Sequence, residues 1–471
     1  MRKLISQAGL LMGLNLLVKP IFILGIDRQM QNLAGPEAYG SYYAAFSFVL
    51  LGSMLLDAGL SNYNARRVAI DHSQVKSTPI FLGLRLSLAL VYALVTLLAA
   101  WLLRYQSTLL SLLVVNQILN YTLFYLRSNL QGLQLFIRDG VLSVLDRSLT
   151  ILFCLPLLFG YRLTGALLLD FVLVQTGAYI VATLVALLWN KPHSTLLPRF
   201  SPKEQWQLLK QTLPYALLGL LMTFYARIDA VMLVKLLPNG HFQAGEYAAG
   251  YRLLDALSNI PLLLSGMLMP VFAKKIREGL STERTALLAG LFLLSTAWIG
   301  AMSCYVYSNE ILALLYKHTS TAQSEVFRLL MLSYLPIAGL YVTGSLLTAS
   351  GKMKLLNSLS AIALFTNVAL NLWLIPEYGA VGAAVATLFT QFILFIVQLF
   401  LAARLQAWSF NAGLVWRSIL FMLLSGLLAW FSPPLGFVWG LILSLTGGLL
   451  LLPLLVPSPI QEFQKLIRRQ S

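Results

Sequence analysis

The sequence predicts an all-α integral membrane protein of about fourteen transmembrane helices, and three observations predict it. Hydrophobic residues make up 58% of the 471, and charged residues only 11%. Apolar runs recur about fourteen times, each near the ~20 residues that carry a helix across a bilayer. The cations also sort by loop. If the first run starts in the cytoplasm, the loops on that side hold 23 Lys and Arg, among them Arg2, Lys3, Arg66, Arg67, Arg127, Arg147, Lys274, Lys275, Arg417, Lys465, Arg468 and Arg469. The opposite loops hold four: Arg28, Arg104, Arg162 and Lys317. This is the positive-inside bias. It predicts a multi-pass membrane protein with both termini in the cytoplasm.

The spans fall at 9–28, 38–60, 79–101, 108–127, 141–160, 164–189, 211–237, 245–270, 284–307, 325–349, 355–376, 380–402, 413–431 and 435–456. The first run is too long for a signal-peptide core and no small-residue cleavage site follows it, so it is expected to stay as an anchor. The longest connection, Asn190 to Lys210, carries Pro192, Pro198 and Pro202 and then the amphipathic stretch Glu204–Lys210. It reads as a linker followed by a short helix on the membrane surface. No loop is long enough to fold as a soluble domain.

Several function classes are disfavoured. The net charge of +16 sits mostly in short cytoplasmic turns, and no nucleic-acid-binding motif accompanies it. Cys154 and Cys304 lie inside apolar runs, so a disulfide framework is not expected. His72, His193, His241 and His318 stand singly, without metal-ligand spacing. No metal, cofactor or catalytic residue is expected.

The linker divides the chain into similar halves. Tyr39 and Tyr43 at the second span match Tyr247 and Tyr251 at the eighth, 208 residues on. Tyr161 and Gly165-Ala166 match Tyr378 and Gly382-Ala383, 217 residues on. Six spans separate equivalent points, so the repeats share an orientation and are related by an axis along the membrane normal. The expected organisation is a six-helix lobe over 1–190, a cytoplasmic linker over 191–210, a second six-helix lobe over 211–403, and two further helices with a basic tail over 404–471. Substrate sites in such folds lie between the repeats near the bilayer midplane.

Ionisable residues inside spans are costly and mark candidate sites. The cations are Lys19, Arg85, Arg227, Lys235, Arg252 and Arg328; the acids are Asp57, Asp170, Asp229 and Asp255. Arg227 and Asp255 lie level in depth, as do Asp229 and Arg252, so cross-helix ion pairs are expected between the seventh and eighth spans. Lys19 lies midspan beside Pro20 with no acid evident nearby. Asp57 and Lys235 lie near span ends, where snorkelling accounts for them. Pro20, Pro156, Pro261 and Pro336 can each kink a span.

Three stretches carry a family resemblance. They are Gly35-Pro36-Glu37-Ala38-Tyr39-Gly40; Leu56-Asp57-Ala58-Gly59-Leu60 followed by Arg66-Arg67; and Arg227-Ile228-Asp229 with Gly245-Glu246-Tyr247 and Tyr251-Arg252. Together they resemble the polysaccharide (O-antigen, Wzx-type) flippases of the multidrug/oligosaccharidyl-lipid/polysaccharide (MOP) exporter superfamily. The resemblance implies a MATE-like pair of pseudo-symmetric lobes. It implies a non-enzymatic flippase that moves an undecaprenyl-pyrophosphate-linked oligosaccharide by alternating access. It also implies contact with membrane lipids and partnership with a polysaccharide polymerase and chain-length proteins. The pyrophosphate needs fixed cations, for which Lys19, Arg85, Arg227 and Arg252 are candidates. Asp57, Asp229 and Asp255 are candidates for cavity ion pairs or for coupling. Asn15, Asn116, Gln117, Asn120, Tyr121, Tyr125, Asn367 and Asn371 could meet sugar if they face inward.

Three other readings compete. A lipid II flippase shares the mechanism with a different cargo. A multidrug or cation antiporter shares the fold, but would favour an acidic interior. A membrane glycosyltransferase or polymerase would need a carboxylate base and a sizeable outer loop. The largest outer loop, Ser308–Ser324, holds only Glu310 as an acid.

Overall fold

A computed structural model describes residues 13–15, 17–105, 107–317, 319–408 and 412–454. The expected cytoplasmic placement of the termini rests on residues 1–12 and 455–471, which lie outside this set, as does His318. All regular structure among the described residues is helical. This follows from the solvent: inside hydrocarbon each backbone N–H and C=O must find its partner within the chain, and a helix supplies it locally.

Among the described residues, twelve helices are long and apolar enough to cross a membrane, against the fourteen expected. Two spans account for the difference. The first begins in residues outside the described set. The expected spans 355–376 and 380–402 form one 53-residue run, Met353–Leu405, with non-helical backbone at Gly379 (φ 58°, ψ −134°). A straight helix of that length would extend about 80 Å, over twice the hydrocarbon core. The run bends instead at Gly379, where glycine tolerates a positive φ.

The chain divides into two compact units, the first ending at Ala248 and the second starting at Ala249. In the first unit, α1 covers residues 13–15 and 17–21, turns π-helical over Phe22–Asp27 and finishes as Arg28–Ala34. There follow α2 (Pro36–Asp57), α3 (Leu60–Ile70), α4 (Thr78–Leu102), α5 (Ser107–Gly132), α6 (Phe136–Leu158), α7 (Leu167–Asn190) and α8 (Pro202–Leu236). The helix α9 (Gly240–Arg277) begins in this unit and continues into the second. The apolar core gathers Leu60, Phe81, Leu84, Leu123, Leu126, Leu142 and Ala182. On α4, Leu86, Leu90, Leu94 and Leu98 are exposed at four-residue spacing. Such a stripe lies on one helix face and suits lipid.

The second unit continues with α10 (Glu283–Val306), α11 (Ser308–Leu315), α12 (Thr321–Ala349), α13 (Met353–Leu405), α14 (Ala412–Trp430) and α15 (Phe437–Leu450). The last two pack on α10. The Trp298 indole donates to the Met422 carbonyl at 3.1 Å, Ser303 meets Ser444 at 2.6 Å, and Tyr307 meets Ser432 at 2.6 Å.

Two sequence expectations are corrected here. Glu204–Lys210 is not a separate surface helix but the first turns of the 35-residue helix α8. Pro202 sits in its first turn, where a missing N–H costs nothing, so the helix starts there and runs on without interruption. Arg147, counted above among cytoplasmic loop cations, lies midway along α6. The remaining twenty-two cations against four keep the same bias.

Candidate functional site

The first unit concentrates its charge inside the helices, and Arg147 is the centre of it. Its guanidinium lies 3.3 Å from the Asp146 carboxylate, donates to the Tyr179 hydroxyl at 3.0 Å, and stacks 4.6 Å from the Phe22 ring centroid. Nearby, Arg127 Nε bonds Asp139 at 2.7 Å, and Gln131 donates to the other carboxylate oxygen at 3.0 Å. Lys19 on α1 is half-buried in the field of Arg127, Arg147 and Asp146. Among the described residues it has no ion pair within 4.0 Å. The acid that sequence reasoning did not find near Lys19 is therefore Asp146, already engaged by Arg147.

Asp57 and Arg85, placed separately by the sequence, form a buried ion pair of 3.1 Å between α2 and α4. Arg85 also donates to the Tyr121 carbonyl and stacks 5.2 Å from the Tyr125 ring. Asp57 is the last residue of α2 and the second of the Leu56-Asp57-Ala58-Gly59-Leu60 motif. Ala58 and Gly59 take left-handed φ of 46° and 74°, which turns the chain from α2 into α3. The carboxylate then accepts from the Ser61 hydroxyl and from its backbone N–H at 3.3 Å, in the first turn of α3. Snorkelling at a span end does not describe this residue.

Asp229 is fully buried and accepts from the Tyr247 hydroxyl at 2.6 Å. Arg227 donates to the Tyr43 hydroxyl at 3.3 Å. Asp27, buried in the π-helical part of α1, accepts from Tyr39 at 2.9 Å. These contacts bear on the internal repeat. Tyr39 and Tyr247 are the tyrosines that the 208-residue register aligns. Asp27 and Asp229 each lie seven residues before the end of their helix, at Ala34 and Leu236. Each matched tyrosine thus bonds a buried aspartate, although the two acids are six residues out of the 208-residue register. The residues around Lys19 that sequence reasoning missed are Asp146 and Arg147.

In the second unit, Arg252 and Asp255 are half-buried three residues apart on α9. Of the candidate sugar partners, Asn15 donates to Ser143 at 2.7 Å and Asn371 to Asn367 at 3.0 Å. Asn116 is buried with neither amide atom bonded among the described residues. Asp170 accepts from the backbone N–H of Leu163 and Thr164 at 2.8 and 2.9 Å, pinning the loop before α7. Lys235 reaches the Leu103 carbonyl and the Tyr105 ring. Both have structural partners.

The tyrosine–aspartate couples give a direct prediction. Tyr39→Phe and Tyr247→Phe should each destabilise the protein by about 1–2 kcal/mol. That exceeds the ~0.6 kcal/mol average for side-chain bonds in membranes, because a buried carboxyl group loses its donor. Thermal unfolding in detergent measures this. Losses near zero would mean that water replaces the hydroxyl.

Residues 11–275 match the family described as polysaccharide biosynthesis protein. An uncharacterized membrane protein of Methanocaldococcus jannaschii is 24% identical over 199 residues, 42% of this chain and 46% of that protein. The match thus spans less than half of that relative's length. Among solved structures, the lipid II flippase MurJ in an inward closed conformation aligns with a TM-score of 0.70 at 14% identity, over 99% of this chain and 100% of that one. A MOP superfamily transporter from Pyrococcus furiosus, described as having a binding pocket of reverse polarity, aligns at 0.64 and 16% identity, over 86% of this chain and 96% of that one. An inward-facing multidrug resistance MATE transporter aligns at 0.65 and 15% identity, over 83% and 94%. These likenesses establish the MOP-superfamily fold. With more than half its length matched, the chain belongs to the polysaccharide biosynthesis protein family.

Proposed function

We propose that this protein is a flippase that carries an undecaprenyl-pyrophosphate-linked oligosaccharide across the bacterial inner membrane by alternating access, with both termini in the cytoplasm. The single observation that carries the reading is Lys19. A midspan ammonium is costly without a counter-charge. Asp146 and Asp139 are bound to arginines, and Lys19 has no carboxylate within 4.0 Å among the described residues. The pyrophosphate of the cargo supplies the missing anion. Membership of a polysaccharide biosynthesis family supports a glycan as the cargo's head group. Buried Asn116, with unbonded amide atoms, offers hydrogen bonds to sugar.

Arg227 and Arg252 belong to the same proposal as cations that the cargo meets in transit, and Asp229 and Asp255 as candidates for coupling. Arg85 contributes by holding α2 to α4, since its guanidinium is bound to Asp57 and Tyr121. The polyprenyl tail stays in lipid. Lipid II is the second cargo to weigh, because the MurJ alignment spans 99% of the chain and the transporter alignments 83–86%. That difference favours a carrier with two helices beyond the twelve of two lobes. A multidrug or cation antiporter fits less well, because such a cargo would repel Lys19.

Complementation of a deletion strain tests this. Lys19→Arg keeps the charge and should retain export of the glycan. Lys19→Ala should lose it at equal protein levels, because charge-assisted bonds to phosphate go with the ammonium. Wild-type export by Lys19→Ala would remove Lys19 from the site.

A further inference from the structure

A second basic site lies away from Lys19, where residues 191–201 join α7 to α8. A cavity of about 720 Å³ opens there, lined among others by Lys76, Lys191, His193, Ser194, Thr195 and Leu197, and no carboxylate lines it. Lys76 and Lys191 are exposed and His193 is half-buried. The His193 Nε2 is shielded from solvent and has no hydrogen-bond partner among the described residues. A ring nitrogen left in that state calls for a ligand or an ordered water. Two ammonium groups and a hydroxyl beside it select an anion with several oxygens.

The walls are fixed. The Arg199 N–H donates to the Pro79 carbonyl at 2.8 Å, the Asn190 amide donates to the Leu126 carbonyl at 3.2 Å, and Leu196 packs on the core of the unit. Position selects the source of the anion. The 24 residues of α7 extend about 36 Å, longer than the ~30 Å hydrocarbon core, so its Asn190 end reaches the head-group layer. Leu197 in the cavity wall, and Leu188, Phe200 and Trp206 close to this segment in sequence, are 75, 66, 62 and 57% exposed. Large apolar side chains in such a cluster insert at a membrane interface, with tryptophan at head-group depth. Cations beside apolar anchors form the signature of an anionic-lipid contact.

We propose that this pocket binds the phosphate of an anionic lipid at the membrane surface and so ties the segment 191–201 to the bilayer. The site is independent of the cargo reading.

Native mass spectrometry of the full chain in neutral detergent tests it, with phosphatidylglycerol, phosphatidylcholine and inorganic phosphate as probes. Phosphatidylglycerol should bind in preference to phosphatidylcholine. Lys76→Gln/Lys191→Gln should weaken the tightest phosphatidylglycerol adduct roughly thirtyfold, the effect of losing two cations near a lipid surface. Lys274→Gln/Lys275→Gln, which removes the same charge elsewhere, should leave that adduct unchanged. Matched melting temperatures for the two double variants keep the comparison free of folding defects. Equal phosphatidylcholine binding, or equal losses in both double variants, overturns the site. Displacement of phosphatidylglycerol by inorganic phosphate at equal concentration overturns the lipid as its source.

Discussion

Asp57→Ala should cost the protein about 3–5 kcal/mol, enough to lose most of the folded yield. The substitution leaves the Arg85 guanidinium buried without its acid, and truncating one partner of a buried pair carries this penalty. It also removes the acceptor of the Ser61 hydroxyl and backbone N–H in the first turn of α3. Arg85→Met should cost less, because Asp57 keeps its bonds to Ser61. Asp57→Ala/Arg85→Met should be more stable than the sum of the two single losses, since no charge is then stranded. A double-mutant cycle on thermal unfolding in detergent measures the coupling. Strict additivity would mean that the pair is solvated and that the turn after α2 is held by other contacts.

Gly40→Leu is the second large effect. A Cβ on Gly40 would overlap the His241 carbonyl, and one on Gly245 would overlap the Pro36 carbonyl. The start of α2 and the start of α9 therefore cross backbone against backbone, and the Gln31 amide donates across the crossing to the Gly245 carbonyl at 2.9 Å. Small residues permit such crossings in membranes. Overpacking costs about 1–3 kcal/mol where side chains can move aside. Here the obstacle is helix backbone, so the helices must separate and the loss should exceed that range. Gly177→Ala is the control. Nothing lies within 4 Å of its added Cβ, so it should be neutral or stabilise by up to about 1 kcal/mol. If Gly40→Leu melts like the control, the crossing is not closely packed in the membrane.

The helical membrane class was legible because hydrophobic length and loop charge are properties of sequence alone. Tyr39 and Tyr247, which the 208-residue register aligns, each bond a buried aspartate, a partner that the register alone does not name. The Asp57–Arg85 pair was not legible. Its members are 28 residues apart on different helices, and no periodicity fixes which faces meet. Arg147 was misplaced for a related reason. Assigning every cation near a cytoplasmic turn to the loop treats charge as excluded from helix interiors, whereas Asp146, Tyr179 and the Phe22 ring make room for this one. The boundary between the spans 355–376 and 380–402 was legible, and the non-helical backbone at Gly379 falls in it.

Reconstitution tests the central claim most directly. Purified protein is placed in liposomes carrying a labelled undecaprenyl-pyrophosphate oligosaccharide in one leaflet. Access of a membrane-impermeant glycosidase to the sugar then reports its transfer. The wild type should move sugar between leaflets, Lys19→Arg should do so more slowly, and Lys19→Ala should match protein-free liposomes. Equal transfer by wild type and Lys19→Ala, or no transfer by folded wild type while lipid II is moved in the same liposomes, would contradict the account.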